Sequence, residues 1–172
     1  MRINKLRIDP NWEARLSSIG YGYHTMDGIP YWIDDYYYEI SNQEADQIYK
    51  ATNELWSMCL DAVEYVIKNQ LYAKFHIPAF MIHHIERSWE NDNPSIYGRF
   101  DFAFDNTTKE LKMLEFNADT PTSLFETGIV QWYWKNHYFP ELTNQFNSIH
   151  EQLIQSWTEL KPYLKGEILH FS

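Results

Sequence analysis

An α/β fold, with helices packed on a mixed sheet and an antiparallel hairpin near the centre of that sheet, is what this sequence predicts. Three observations predict it: one long apolar stripe at helical period, two extended segments joined by a polar turn, and further amphipathic stretches toward the carboxyl end. At 172 residues the chain is long enough for a sizeable core, and we read residues 1–172 as a single domain.

The region from Ile19 to Tyr38 mixes Gly20, Gly22, Gly28 and Pro30 with many aromatics, which predicts turns and short extended pieces. Ser41-Asn42-Gln43-Glu44 then reads as a capping box, because the Ser hydroxyl and the Glu carboxylate can each satisfy an orphan amide at a helix start. Ala45, Ile48, Ala51, Leu55, Met58, Cys59, Ala62 and Val66 follow at steps of three and four, so the spacing predicts a helix over about 42–69. Pro78 opens a second helix to about Glu86, and Trp89 to Ser95 reads as a polar loop.

The period then changes. Ile96 to Phe104 and Leu111 to Asn117 alternate as strands, and Asp105 to Glu110 between them is rich in turn formers, which together predict a hairpin. Thr120-Pro121 has the form of an N-cap followed by proline at the first helical position, opening a helix to about Lys135. Phe146, Ile149, Leu153, Trp157 and Leu160 mark another helix, and Glu167 to Phe171 reads as a strand.

Composition excludes several functions. The formal net charge is -10 and no Lys/Arg cluster appears, which argues against nucleic acid as a partner. Nowhere do eighteen apolar residues run together and Met1 to Pro10 holds no apolar signal core, so no membrane partner and a cytoplasmic location are expected. Cys59 is the single cysteine, which rules out an internal disulfide and fits a reducing compartment. The 17% aromatic share serves either a large core or a stacking surface. His83 and His84 are adjacent, point to different sides of a helix, and make no joint metal site.

The chemistry concentrates on the hairpin. Residues two apart on a strand face one side, so Arg99 and Asp101 share a face, as do Glu115 and Asn117. A turn centred near Thr108 sets Asp101 opposite Glu115 and Arg99 opposite Asn117, while Phe100, Phe102, Phe104, Leu114 and Phe116 fill the other face. Opposed carboxylates repel unless a cation intervenes. Two carboxylates and an amide carbonyl form an all-oxygen set suited to Mg2+. The competing reading is a plain Arg99–Asp101 salt bridge with Glu115 solvated at the hairpin edge.

Tyr97-Gly98-Arg99-Phe100-Asp101-Phe102, with Leu114-Glu115-Phe116-Asn117-Ala118-Asp119-Thr120-Pro121-Thr122-Ser123-Leu124, resembles the signature of the glutathionylspermidine synthase family of ATP-grasp ligases. Pro30-Tyr31-Trp32, Ala51-Thr52, Ile77-Pro78, Ser88-Trp89 and Gln131-Trp132 resemble the family in the same order, so the likeness covers nearly the whole chain. The resemblance implies amide formation between a glutathione-like peptide carboxylate and a polyamine amine, driven by ATP through an acyl phosphate. It implies Mg2+ held by Asp101, Glu115 and Asn117 against the nucleotide phosphates, and Arg99 as the catalytic cation beside the transferring phosphoryl group. Thr120 and Thr122 match positions near the peptide substrate, and Asp119 falls in the same motif as a turn residue. The fold implied is the substrate-side, pre-ATP-grasp region.

The resemblance also implies that most of the nucleotide-binding part lies beyond this chain, which is then a truncated amino-terminal portion, inactive alone. Cys59 sits in no setting like that of the family's amidase nucleophile. The alternatives to an enzyme part are a non-catalytic remnant, or a module that binds a polyamine or peptide, for which the acidic balance suits a cation. A carbohydrate enzyme built on the paired carboxylates is disfavoured, because an adjacent Arg depresses rather than raises an acid's pKa.

Overall fold

A computed structural model describes residues 1–166, so the strand expected at Glu167 to Phe171 lies outside the described residues. In chain order the principal elements are β1 (Arg2–Lys5), α1 (Trp12–Ser18), β2 (Thr25–Met26), β3 (Ile29–Pro30), β4 (Tyr36–Glu39), α2 (Asn42–Lys68), α3 (Ala79–Glu90), β5 (Arg99–Phe104), β6 (Leu111–Asn117), α4 (Gln131–Tyr138) and α5 (Ile149–Leu160). Short 3-10 turns cover Gly22–His24, Leu71–Phe75 and Lys161–Tyr163, and wider π-type turns cover Glu126–Val130 ahead of α4. The fold is mixed α/β. Two compact units divide it: Met1–Ile40 with the described residues from Pro121 onward, and Ser41–Thr120.

In the first unit β1 pairs antiparallel with β4, from Arg2 opposite Glu39 to Lys5 opposite Tyr36. Arg2 closes that ladder with a 2.6 Å ion pair to Glu39. Asp27 and Gly28 join β2 to β3 with φ of 50° and 78°, the pair of positive values that a tight two-residue hairpin turn demands. Leu16, Tyr21 and Val130 form the buried core, with Trp12, Ile19 and Trp32 packed against it. Beside it Asp34, only 3% exposed, accepts hydrogen bonds from Arg15 Nη2 on both oxygens at 3.0 Å, from Trp32 Nε1 at 3.1 Å and from the Tyr138 hydroxyl. A buried carboxylate survives only when so satisfied. Burial first, and then this bond to Asp34, push the Tyr138 phenol up.

The second unit is organised by α2. Its capping box is complete: Ser41 Oγ accepts from the Glu44 amide at 3.3 Å, and Glu44 Oε2 accepts from the Ser41 amide at 3.0 Å. That closure sets the start of a helix of 27 residues where the sequence placed it. Pro78 precedes α3 in an extended conformation, and α3 continues to Glu90, four residues past the expected end, taking in Trp89 and Glu90 of the expected loop. The buried Tyr72 hydroxyl donates to Glu86 Oε1 at 2.9 Å and ties the intervening turn to α3.

Three expectations need correction. Instead of one mixed sheet, the described residues hold three separate two-stranded antiparallel sheets, β1 with β4, β2 with β3, and β5 with β6. Alternation reveals a strand and its faces but not the partner of its outer edge, which is a tertiary choice. The helix expected from Thr120-Pro121 begins only at Leu124. Ser123 has φ of 70°, a left-handed conformation no α-helix interior accepts, and its carbonyl receives the Thr127 amide at 3.0 Å. Leu114, placed on the apolar face of the hairpin, is 67% exposed, because a bulge makes it the extra residue between Glu115 and Met113.

Among the described residues no helix is long and apolar enough to cross a membrane. The Ser41→Ala variant, which removes the acceptor at the start of α2, is expected to lose about 1 kcal/mol of stability in urea unfolding followed by far-ultraviolet circular dichroism. Wild-type stability in that variant would mean the cap is idle.

Candidate functional site

The polar face lies on β5 and β6, wholly inside the second unit. Asp105 shapes the connecting turn: its Oδ1 accepts from the Thr107 and Thr108 amides at 2.7 and 3.1 Å, and Lys109 closes the loop with φ of 61°. The start of α2 holds this turn in place, with Gln47 Nε2 donating to the Lys109 carbonyl at 2.8 Å and Lys109 Nζ 3.2 Å from Glu44 Oε1. On the apolar side Phe100 stacks on Phe116 with centroids 4.1 Å apart, and Phe116 meets Trp56 of α2 edge-on at 5.8 Å. Gly98 permits this packing, since a Cβ there would come within 2.8 Å of the Phe116 ring. The hairpin is therefore gripped along one face and at its tip.

Opposite the phenylalanines, Arg99 pairs with Asn117 and Asp101 with Glu115, in the register that the turn implied. The bulge falls immediately after Asp101, so it leaves these two pairs in step and displaces only the residues nearer the turn. Arg99 grips Asp101 through two bonds, Nε to Oδ1 at 2.8 Å and Nη2 to Oδ2 at 3.2 Å. Its Nη2 also lies 3.9 Å from Glu115 Oε1. Asn117 donates from Nδ2 to Glu115 Oε1 at 2.9 Å, which orients the amide and directs its own carbonyl oxygen away from Glu115. Four predicted side chains thus stand together, and the Arg99–Asp101 salt bridge of the competing reading is part of the same group.

The electrostatics follow from that geometry. The Arg99 guanidinium beside Asp101 holds its carboxyl below the ordinary aspartate value, outweighing partial burial. The same bond to Asp101 raises Arg99, which is a permanent cation in any case. Among the described residues no group of three or more His, Cys, Asp or Glu side chains converges, so the donor set here is two carboxylates and an amide. Hard oxygen donors of this kind fit a small divalent cation better than a soft one.

Thr120 and Thr122 are not on the paired strands. Both are exposed, in the irregular stretch after β6, Thr120 in the second unit and Thr122 in the first. Neither opens a helix, since the helical turns begin only at Leu124. Asp119, also exposed, lies in the same stretch. The sequence reading did not single out Asp34, Arg15 and Tyr138; the adjacent acids Asp34-Asp35 in an aromatic-rich segment are the only local signal, and it does not say which one is buried.

Residues 3–172 match the family model described as glutathionylspermidine synthase preATP-grasp. A Haemophilus influenzae protein named "Putative acid–amine ligase" is 42% identical over 175 residues, covering 99% of this chain and 44% of that protein. The bifunctional glutathionylspermidine synthetase/amidase of Escherichia coli is 33% identical over 134 residues, covering 76% of this chain and 21% of its own length. The trypanothione synthetase of Crithidia fasciculata is 31% identical over 99 residues, covering 57% of this chain and 15% of its own. The chain spans less than half the length of each of these relatives.

Because the folded state lowers the Asp101 pKa, the stabilisation from this pair is complete above the unfolded value near 3.8 and is lost as the pH falls through the lower folded value. Carbon-detected NMR titration should place the Asp101 midpoint below 3.8 in the wild type and return it toward 3.8 in Arg99→Ala. An unchanged midpoint in that variant would show that Arg99 does not set it.

Proposed function

The chain belongs to the glutathionylspermidine synthase preATP-grasp family, and from that premise we propose that it supplies the substrate- and metal-facing part of an ATP-dependent ligase. The reaction is amide formation between the carboxylate of a glutathione-like peptide and an amine of a polyamine, through an acyl phosphate. The observation that carries this reading is the strand register, which gathers Arg99, Asp101, Glu115 and Asn117 on one face.

In this reading Asp101, Glu115 and the Asn117 carbonyl hold Mg2+, which when bound neutralises phosphate charge during phosphoryl transfer. Arg99 holds the peptide carboxylate and the transferring phosphoryl group in place with a planar fork of donors, matched to two oxygens at once. Asp101 is a carboxylate at neutral pH, and Arg99, by lowering its pKa further, extends that charged form to more acidic solution. Asn117 keeps its amide turned toward Glu115, which leaves its oxygen for the cation. Thr120 supplies a hydroxyl to the peptide substrate. In this reading the residues that hold the nucleotide base and ribose lie outside this chain.

Paramagnetic broadening by Mn2+, a spectroscopic stand-in for Mg2+, tests the cation role directly on this chain. Resonances of Asp101, Glu115 and Asn117 should broaden first, Mg2+ should compete the effect away, and Asp101→Asn should abolish it. Broadening centred on other acidic residues, or unchanged in Asp101→Asn, refutes the metal assignment. Calorimetric binding of spermidine or glutathione that is undiminished in Asp101→Asn and indifferent to Mg2+ would favour a non-catalytic binding module instead.

A further inference from the structure

A second polar constellation lies in the first unit, among residues the hairpin does not use. Glu13 and Ser17 stand four apart on α1 and so share a helix face. The chain then reverses: the Tyr21 amide returns to the Leu16 carbonyl at 3.0 Å, the Tyr21 ring is buried in the core, and Gly20 takes φ of 86° to make the turn. This fold-back lays His24 and Thr25 beside α1. Ser17 Oγ is 3.0 Å from His24 Nε2, His24 Nδ1 is 3.0 Å from Thr25 Oγ1, and Thr25 Oγ1 donates to Glu13 Oε1 at 3.4 Å.

One assignment of donors satisfies all three contacts: Thr25 gives its hydroxyl proton to Glu13 while its oxygen accepts from His24 Nδ1–H, and in that tautomer the Nε2 lone pair accepts from Ser17 O–H. Trp12 meets the imidazole edge-on at 5.6 Å and 78° and limits its rotation. The result is a hydroxyl, a base and an orienting group, each in hydrogen-bond reach of the next. Thr25 also lines an open hollow of about 530 Å³ with Gly20, Gly22, Tyr23, Met26 and Asp27. Ser17 and His24 stand outside that lining, and Thr25 is the residue common to the hollow and the hydrogen-bonded chain.

We infer that Ser17 is a nucleophile activated by His24, with carboxylic esters of good leaving groups as its substrate class. Ser17 Oγ forms a bond to the ester carbonyl carbon and gives its proton to His24 Nε2. The ester C–O bond then breaks, and His24 returns that proton to the departing alkoxide or phenoxide, leaving an acyl group on Ser17. Water, deprotonated by His24, later releases the carboxylic acid and restores the serine. Ser17 sits in the last turn of α1, where exposed carbonyls oppose a developing oxyanion. Acylation therefore outruns deacylation only with aryl esters and similar reagents, and turnover is slow.

The test treats the 172-residue chain with p-nitrophenyl acetate, and in parallel with an alkyl fluorophosphonate, followed by intact-mass and peptide-mapping mass spectrometry. A single adduct on Ser17 is expected, with none there in Ser17→Ala. His24→Gln should slow labelling by about a hundredfold, the low end of what a positioned base contributes. Ser18→Ala serves as the control, because that hydroxyl donates to the Arg15 carbonyl at 2.7 Å, and it should label like the wild type. Circular dichroism confirms that each variant is folded. Labelling that persists at full extent in Ser17→Ala, that runs at the wild-type rate in folded His24→Gln, or that never occurs overturns the proposal. Should His24→Gln unfold, the Ser17→Ala and Ser18→Ala pair still decides it.

Discussion

Two carboxylates facing each other across a pair of strands are the constraint around which the second unit is arranged. Directly opposed like charges destabilise a ladder, and Asp101 opposite Glu115 is such a pair. The hairpin tolerates it because neither group is left to the other. Arg99 takes both oxygens of Asp101 and lies near Glu115, and Asn117 donates to Glu115 from the next position along the strand. Each carboxylate thus has a donor from its own strand, two residues away and on the same face. Two acids against one guanidinium still leave an excess of negative charge on this face.

A two-stranded hairpin is marginal alone in water, so the position of these side chains depends on what supports the strands. Support comes from α2 at two places. Phe116, stacked on Phe100 and edge-on to Trp56, anchors the apolar face near the end that carries Arg99 and Asn117. Glu44 and Gln47 hold Lys109 at the turn. Glu44 therefore serves two structures at once, since one oxygen closes the helix cap and the other meets the lysine. The bulge at Leu114 falls between these anchors, so the irregularity is confined to the side of the ladder away from Arg99 and Asn117.

What could be read from the sequence was whatever local chemistry dictates. Ser41 to Glu44 announced the start of α2 because a cap is made by residues three apart in sequence, and the alternation around Arg99 and Glu115 announced faces because a strand has period two. The register of the Arg99 and Asp101 pairs was legible too, whereas the pairs nearer the turn sit one residue out of the step that a turn centred near Thr108 implies. What failed depended on backbone conformations or distant partners. Ser123 adopts a left-handed φ that no serine advertises, so Thr120-Pro121 resembled a helix start without being one. β1 and α1 escaped notice because β1 is defined by a partner more than thirty residues away, and α1 spans only seven residues with Leu16 its single buried side chain.

The bulge shows how a miss of this kind can leave the chemistry intact. Beyond Asp101 the pairing slips by one residue, so Met113 rather than Leu114 comes opposite Phe102, and Leu114 turns outward. Had the slip occurred one pair earlier, between Phe100 and Asp101, Glu115 would have been the extra residue. Asp101 would then have faced Leu114, and the four polar side chains would no longer share a surface. The sidedness of the candidate site thus rests on where a single extra residue is accommodated.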